Sequence, residues 1–152
     1  MSIFSNLFRK KITKNIPDLG EFTYFKDSEY EYWETDSSVG KLPEKFDFGA
    51  INGNIDGPDL DALSTFKIYA QAPDKLLFFL NDLFFEKLLE QFGPLTIEQV
   101  KNKFYLKSLT CASKDKFEYG YHSVEGDFFI ELFYRNGEVT EVYLDEGCCE
   151  YI

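Results

Sequence analysis

One histidine serves the whole 152-residue chain, and a serine follows it: His122-Ser123. A hydroxyl beside an imidazole is the pair on which nucleophilic catalysis is built, with a carboxylate orienting the ring. Three observations count against that chemistry here. The pair falls near the end of the run 116–123, which alternates as a strand does, so adjacent side chains point to opposite faces. His122 then shares a face with Glu118 and Gly120, away from Phe117, Tyr119 and Tyr121 and away from Ser123. No G-x-S-x-G elbow and no glycine-rich oxyanion loop accompanies the serine. A single His also leaves the chain with few groups that move protons near neutral pH.

Metal chemistry fares no better. Asn52, Asn54, Asp56 and Gly57 occupy loop positions one, three, five and six of an EF-hand, but the twelfth position, which must be a bidentate Glu, is Leu63. The segment also follows a strand pattern where an EF-hand needs a helix, so it reads as a polar turn. Zinc would need His122, Cys111 and the adjacent Cys148-Cys149 to converge, and no C-x-x-C spacing occurs. Asp145, Glu146 and Glu150 beside those cysteines read as a solvated acidic tail. Neither a P-loop nor a G-x-G-x-x-G is present. The sequence therefore supplies no catalytic residue, no metal ligand and no cofactor site. A carboxylate- or metal-dependent hydrolase is the enzymatic alternative, and its acids are plentiful but not arranged in a spaced pair.

The balance of charge points to binding instead. Twenty-seven Asp and Glu face sixteen Lys and Arg, a net charge of −11, which repels nucleic acid and attracts basic proteins. Four of the cations, Arg9, Lys10, Lys11 and Lys14, fall in the first fourteen residues with no acid among them; the rest of the chain sets twelve cations against twenty-seven carboxylates, a net −15. Ile3, Phe4, Leu7, Phe8 and Ile12 have helical spacing in this leader, the pattern of a basic amphipathic helix that touches anionic membranes. The simpler reading, adopted here, is a terminal segment over 1–16 that docks loosely or stays mobile. It lacks the apolar stretch of a secretory signal, and three cysteines make an odd number, so the expected setting is a reducing cytoplasm.

The elements that must carry any site follow from pattern. Residues 21–26 and 29–35 alternate around Asp27-Ser28 and predict a hairpin; 36–43 is a polar loop; 45–51 alternates again, with Phe46, Phe48 and Ala50 on one face. Asp59 is a helix N-cap, followed by apolar residues at helical spacing, although the run TFKIYA also has strand character. Residues 74–92 predict one long helix with Leu76, Leu80, Leu83, Phe84, Leu88 and Phe92 along a face, the buried spine of the fold. Gly93-Pro94 ends it, and Thr96 with Gln99 makes a capping box for a short helix over 97–104. Four strands follow at 105–112, 116–123, 127–135 and 138–144, the last two joined by Asn136-Gly137. The expected class is α+β: N-terminal antiparallel strands, central helices with one buried helix, and a C-terminal antiparallel meander, in one domain over 17–152.

Ten Tyr exceed what a core hides easily, since each hydroxyl seeks a partner. The hairpin is where aromatics and acids alternate most densely. Its expected role is partner binding, with Tyr30, Tyr32 and Trp33 as anchors and Glu29, Glu31 and Glu34 as steering charges. The competing reading puts Trp33 in the core and leaves the acids as a solvated edge.

The order of segments resembles a group of small bacterial domains of unknown function that sit beside secreted toxins and are regarded as their immunity proteins. The matching points are Gly20-Glu21-Phe22, the aromatic acidic hairpin with Trp33-Glu34, the strand leading to Asp56-Gly57-Pro58, and the Leu95–Gln99 turn before a strand near Leu106. A final strand–Asn-Gly–strand unit runs from Phe128 to Leu144 and ends in Glu146-Gly147. The likeness spans roughly 19–147. Members tend to carry Gly-His before an aliphatic strand where this chain has Phe129-Ile130-Glu131, so no role of that His carries over. The resemblance implies an α+β fold and neutralisation of a cognate protein toxin with a basic surface. A regulatory interaction module without a toxin partner is the alternative.

Overall fold

A computed structural model describes residues 11–36 and 46–146. Among them the chain forms strands β1 (Thr13–Ile16), β2 (Gly20–Lys26), β3 (Glu31–Thr35), β4 (Phe48–Asn54) and β5 (Gly57–Pro58). Helix α1 (Leu60–Gln71), a 3-10 helix (Pro73–Phe79), α2 (Asp82–Phe92) and α3 (Ile97–Lys103) follow. Strands β6 (Phe104–Ser113), β7 (Lys116–Ser123), β8 (Phe128–Arg135) and β9 (Glu138–Glu146) complete the fold. The α+β expectation holds. The leader residues 1–10, most of the loop expected over 36–43, and Cys148-Cys149 lie outside the described residues.

All but one of the strand pairs are antiparallel, in the order β1-β2-β3-β4-β6-β7-β8-β9, with β5 turned back onto β4. The exception is β4–β6, which is parallel. Two meanders are therefore joined side by side, and a parallel join needs a crossover. The helices are that crossover, and they pack on one face of the sheet. Phe66, Leu76, Phe84, Leu88 and Val100 from the helical layer meet Phe22, Trp33, Ile51, Leu109, Tyr119, Ile130 and Leu132 from the sheet, all essentially inaccessible to solvent. Tyr119 donates its hydroxyl to the Leu76 carbonyl at 3.3 Å, tying β7 to the 3-10 helix.

Local rules account for the ends of these elements. Asp59 caps α1 by accepting the Ala62 N–H at 2.9 Å, and the Thr96/Gln99 capping box forms in both directions. Asn136 (φ 50°) and Gly137 (φ 101°) make the β8–β9 turn, where an Asn-Gly pair accepts the positive φ. At the β2–β3 turn, Asp27 accepts the N–H groups of Glu29 and Tyr30 at 2.8 and 2.7 Å, and those two donors hold its carboxyl below the ordinary value.

Two expectations need correction. The single helix over 74–92 is two elements, because Asn81 opens a new helix: its side chain accepts the Phe84 N–H and donates to the Val139 carbonyl at 2.9 Å. Phe78 and Leu83, which the apolar pattern placed within a buried spine, stand 86% and 41% exposed. The domain also begins earlier than residue 17, since Thr13–Ile16 pairs with β2 and Ile16 enters the core. A single apolar residue in four, on an edge strand, left no periodic signal.

Candidate partner-binding face

Side chains alternate across a strand, so the register of the sheet assigns each residue to the helix-covered face or to the opposite one. Trp33, Ile51, Leu109, Cys111, Phe117, Tyr119, Ile130 and Leu132 face the helices. The opposite face then carries Phe25, Tyr32 and Glu34 on β2–β3, Phe48, Ala50 and Asn52 on β4, and Ser108 and Thr110 on β6. Glu118, Gly120 and His122 follow on β7, Phe129, Glu131 and Phe133 on β8, and Glu141 and Tyr143 on β9. No described element packs on this open face, and Phe25, Phe48 and Tyr143 are 41%, 37% and 52% exposed.

A cleft of about 500 Å³ runs across its middle. The floor is made by short side chains on the two central strands, Ala50, Thr110 and Ala112, and the walls by Tyr32 and Phe48 on one side and Phe133 on the other. Glu118 lies within it, with Lys116 and Arg135 also in its lining and Tyr30 at its rim. Glu118 is half-buried and forms no ion pair among the described residues. Burial, and next the charge of Glu131 on the adjacent strand, push its carboxyl above the ordinary value against the opposing pull of Lys116 and Arg135.

The structure separates the six hairpin residues. Tyr30 is the most exposed, at 65%, with Glu29 beside it on the turn. Tyr32 stacks on Phe25 at 5.7 Å and lines the cleft. Glu34 shares the open face, where burial and then Asp36 push its carboxyl up. Glu31 is already engaged: Tyr24 donates its hydroxyl to it at 2.6 Å, a bond that raises the Tyr24 pKa to about 12, and Lys26 stands 3.9 Å away. Trp33 cannot serve as a surface anchor in this structure. It is 1% exposed, its ring lies 5.4 Å from that of Tyr24, and its Nε1 donates to the Asn54 carbonyl at 2.8 Å. The reading that puts Trp33 in the core is the correct one for that residue.

The other constellations resolve into structure. His122 rests against the Tyr105 ring at 5.7 Å and bonds through Nδ1 to the Ser123 carbonyl. Ser123 turns to the other side, where its Oγ accepts the Asp127 and Phe128 N–H groups at 2.9 Å and pins the β7–β8 turn. In the Asn52–Gly57 segment the Asn54 side chain accepts the Asp56 N–H, and the Lys14 ammonium donates to the Asp56 carbonyl at 2.8 Å, so the segment is the β4–β5 turn. Among the described residues no three His, Cys, Asp or Glu gather as metal ligands would. Cys111 is buried, which raises its thiol pKa strongly and leaves it unreactive.

Phe48, Glu118, Phe133 and Arg135 did not stand out in the sequence. Alternation over 46–50 places Phe48 with Phe46, but the strand starts only at Phe48; Phe46 lies in the core and Phe48 on the open face. Among the described residues no helix is long and apolar enough to cross a membrane. No family model, no curated protein and no solved structure matches this chain.

Proposed function

We propose that the chain is a non-catalytic protein-binding module that neutralises a cognate bacterial toxin by covering it, with the open face of the sheet as its contact surface. The observation that carries this reading is the combination, on one face that no described element covers, of aromatic side chains with carboxylates that form no ion pair among the described residues. Open-face Glu21, Glu34, Glu118, Glu131, Glu141 and Asp145 outnumber Lys116 and Arg135 there. Such a surface steers basic partners and gains its affinity from a few desolvated aromatics. Blocking a toxin sterically needs no catalytic group, in keeping with the structural roles of His122 and Ser123. The resemblance to toxin-adjacent domains supplies the class of partner.

The test is co-expression with the protein encoded beside this one, followed by binding of the purified pair. Tyr32→Ala combined with Phe48→Ala should weaken binding by about 2 kcal/mol or more, roughly thirtyfold, with the melting temperature little changed. Association should also slow between low and physiological salt. Full protection of the cell by the double variant would remove the open face from the function.

A further inference from the structure

Phe133 occupies a particular position on the open face. It stands directly opposite Glu118 on β7 and Glu141 on β9, and Glu131 precedes it by two residues on its own strand. Three carboxylates thus surround one aromatic ring, with Arg135 on the remaining side. Tyr143, opposite Glu131, sets its ring edge-to-face with Phe133 at 5.6 Å. Phe133 is also a wall of the cleft, so the ring borders a cavity rather than a flat surface.

The charges decide what this wall can accept. An apolar anchor pressed here would strip water from Glu118 and Glu131 and leave them unpaired, at high cost. An anion meets the same carboxylates. A cation gains twice, from the negative face of the ring and from the acids around it. Burial first, and then the charge of Glu131 on the neighbouring strand, disfavour an ionised Glu118. A cation between them relieves that repulsion. A planar guanidinium fits better than an ammonium, because its flat face stacks on the ring while its N–H fork reaches out to the carboxylates around it.

We propose that the Phe133 wall of the cleft seats an arginine side chain of the protein partner, stacked on the ring and paired with Glu118 and Glu131. This deepens the protein-binding reading above and rests on it for the identity of the partner. Gly120, opposite Glu131 on β7, lets its neighbours close over the strand: a Cβ there would meet Ser108 Oγ at 2.5 Å and the Phe129 ring at 2.8 Å, so Phe129 borders the Glu131 side of the seat.

The probe is Nα-acetyl-arginine methylamide, titrated into the isotope-labelled full chain at physiological salt and followed by amide chemical shifts. The expected result is saturable change confined to residues around 117–119, 131–134 and 141–143. The citrulline counterpart, equal in shape and uncharged, should bind about tenfold or more weakly, and the lysine counterpart should fall between. Glu118→Gln with Glu131→Gln should remove the arginine preference, and Phe133→Leu, which keeps apolar bulk, should weaken it several-fold. Equal binding of citrulline, or shift changes centred elsewhere, would overturn the seat. The two readings fail separately. If the double Glu→Gln variant still neutralises the partner fully while Tyr32→Ala with Phe48→Ala does not, the arginine seat is wrong and the open face stands. If both variants neutralise fully, the open face itself is wrong.

Discussion

Replacing Trp33 by alanine separates the surface and interior readings of the hairpin. The ring is sealed between β2, β4 and the helical layer, at 1% exposure, and packs 5.4 Å from Tyr24. Removing it deletes the largest of the fully buried side chains and opens a cavity, a change that typically costs about 3–5 kcal/mol. The lost Nε1–H bond to the Asn54 carbonyl, at 2.8 Å, adds about 1 kcal/mol. For a domain of this size each kcal/mol lowers the melting temperature by about 2–4 °C, so a fall of roughly 10–15 °C is expected. Trp33→Phe keeps most of the apolar volume and should lose only about a third of that. Tyr30→Ala, three residues away and 65% exposed, should stay within about 0.5 kcal/mol of the parent. Calorimetry and urea melts on the three purified variants read these differences, and the urea slope should not change if the native state stays whole. A Trp33→Ala protein that melts within two or three degrees of the parent would refute the assignment of this residue to the core.

Other perturbations test other parts of the fold. The native state holds the Glu118 proton to a higher pH than the unfolded chain does, so this group's contribution falls as pH rises through its raised native pKa. Glu118→Gln should therefore melt above the parent at pH 7, with the advantage gone below about pH 4, where the unfolded carboxyl is also protonated. Removing residues 1–16 takes away β1 and Ile16 and should lower the melting temperature by several degrees; thermal melts of the truncation beside the parent decide. Gly53→Ala should destabilise by about 1–3 kcal/mol in urea melts, because the added Cβ would lie 2.5 Å from the Gly57 carbonyl oxygen and 2.7 Å from the Pro58 Cα, both backbone atoms.

The strands of the C-terminal meander were legible because each is long, alternates, and ends in a turn with its own chemistry: Asn136-Gly137 at one end and Gly126, at φ 82°, at the other. The caps at Asp59 and Thr96 were legible for the same reason, since a cap is a local hydrogen bond and needs no knowledge of the rest of the fold. The split at Asn81 was not. Its side chain is fixed partly by the Val139 carbonyl, 58 residues away, and the apolar run through it has a helical period on both sides. Nor was the parallel β4–β6 pair, because nothing in either strand distinguishes a parallel neighbour from an antiparallel one; the crossover through four helices is what makes it possible.

That parallel join is also why the candidate site escaped the sequence. The cleft lies where the two meanders meet, so its walls come from Tyr32 and Phe48 before the helices and from Phe133 after them. Its depth comes from residues that carry no functional signal, Ala50, Thr110 and Ala112, whose short side chains matter only because taller ones stand on the neighbouring strands. The hairpin attracted notice because its aromatics and acids are adjacent in sequence, yet adjacency along a strand sends alternate side chains to opposite faces. Trp33 went to the core by that rule, and Tyr32 and Glu34 went to the open face. The acids that surround Phe133 are 15 residues before it, two before it and eight after it, a set that only strand register brings together. A candidate face assembled this way is not set by any one stretch of the sequence. It depends instead on the register of β7, β8 and β9, which the Asn136-Gly137 turn and the Ser123-pinned turn hold in place.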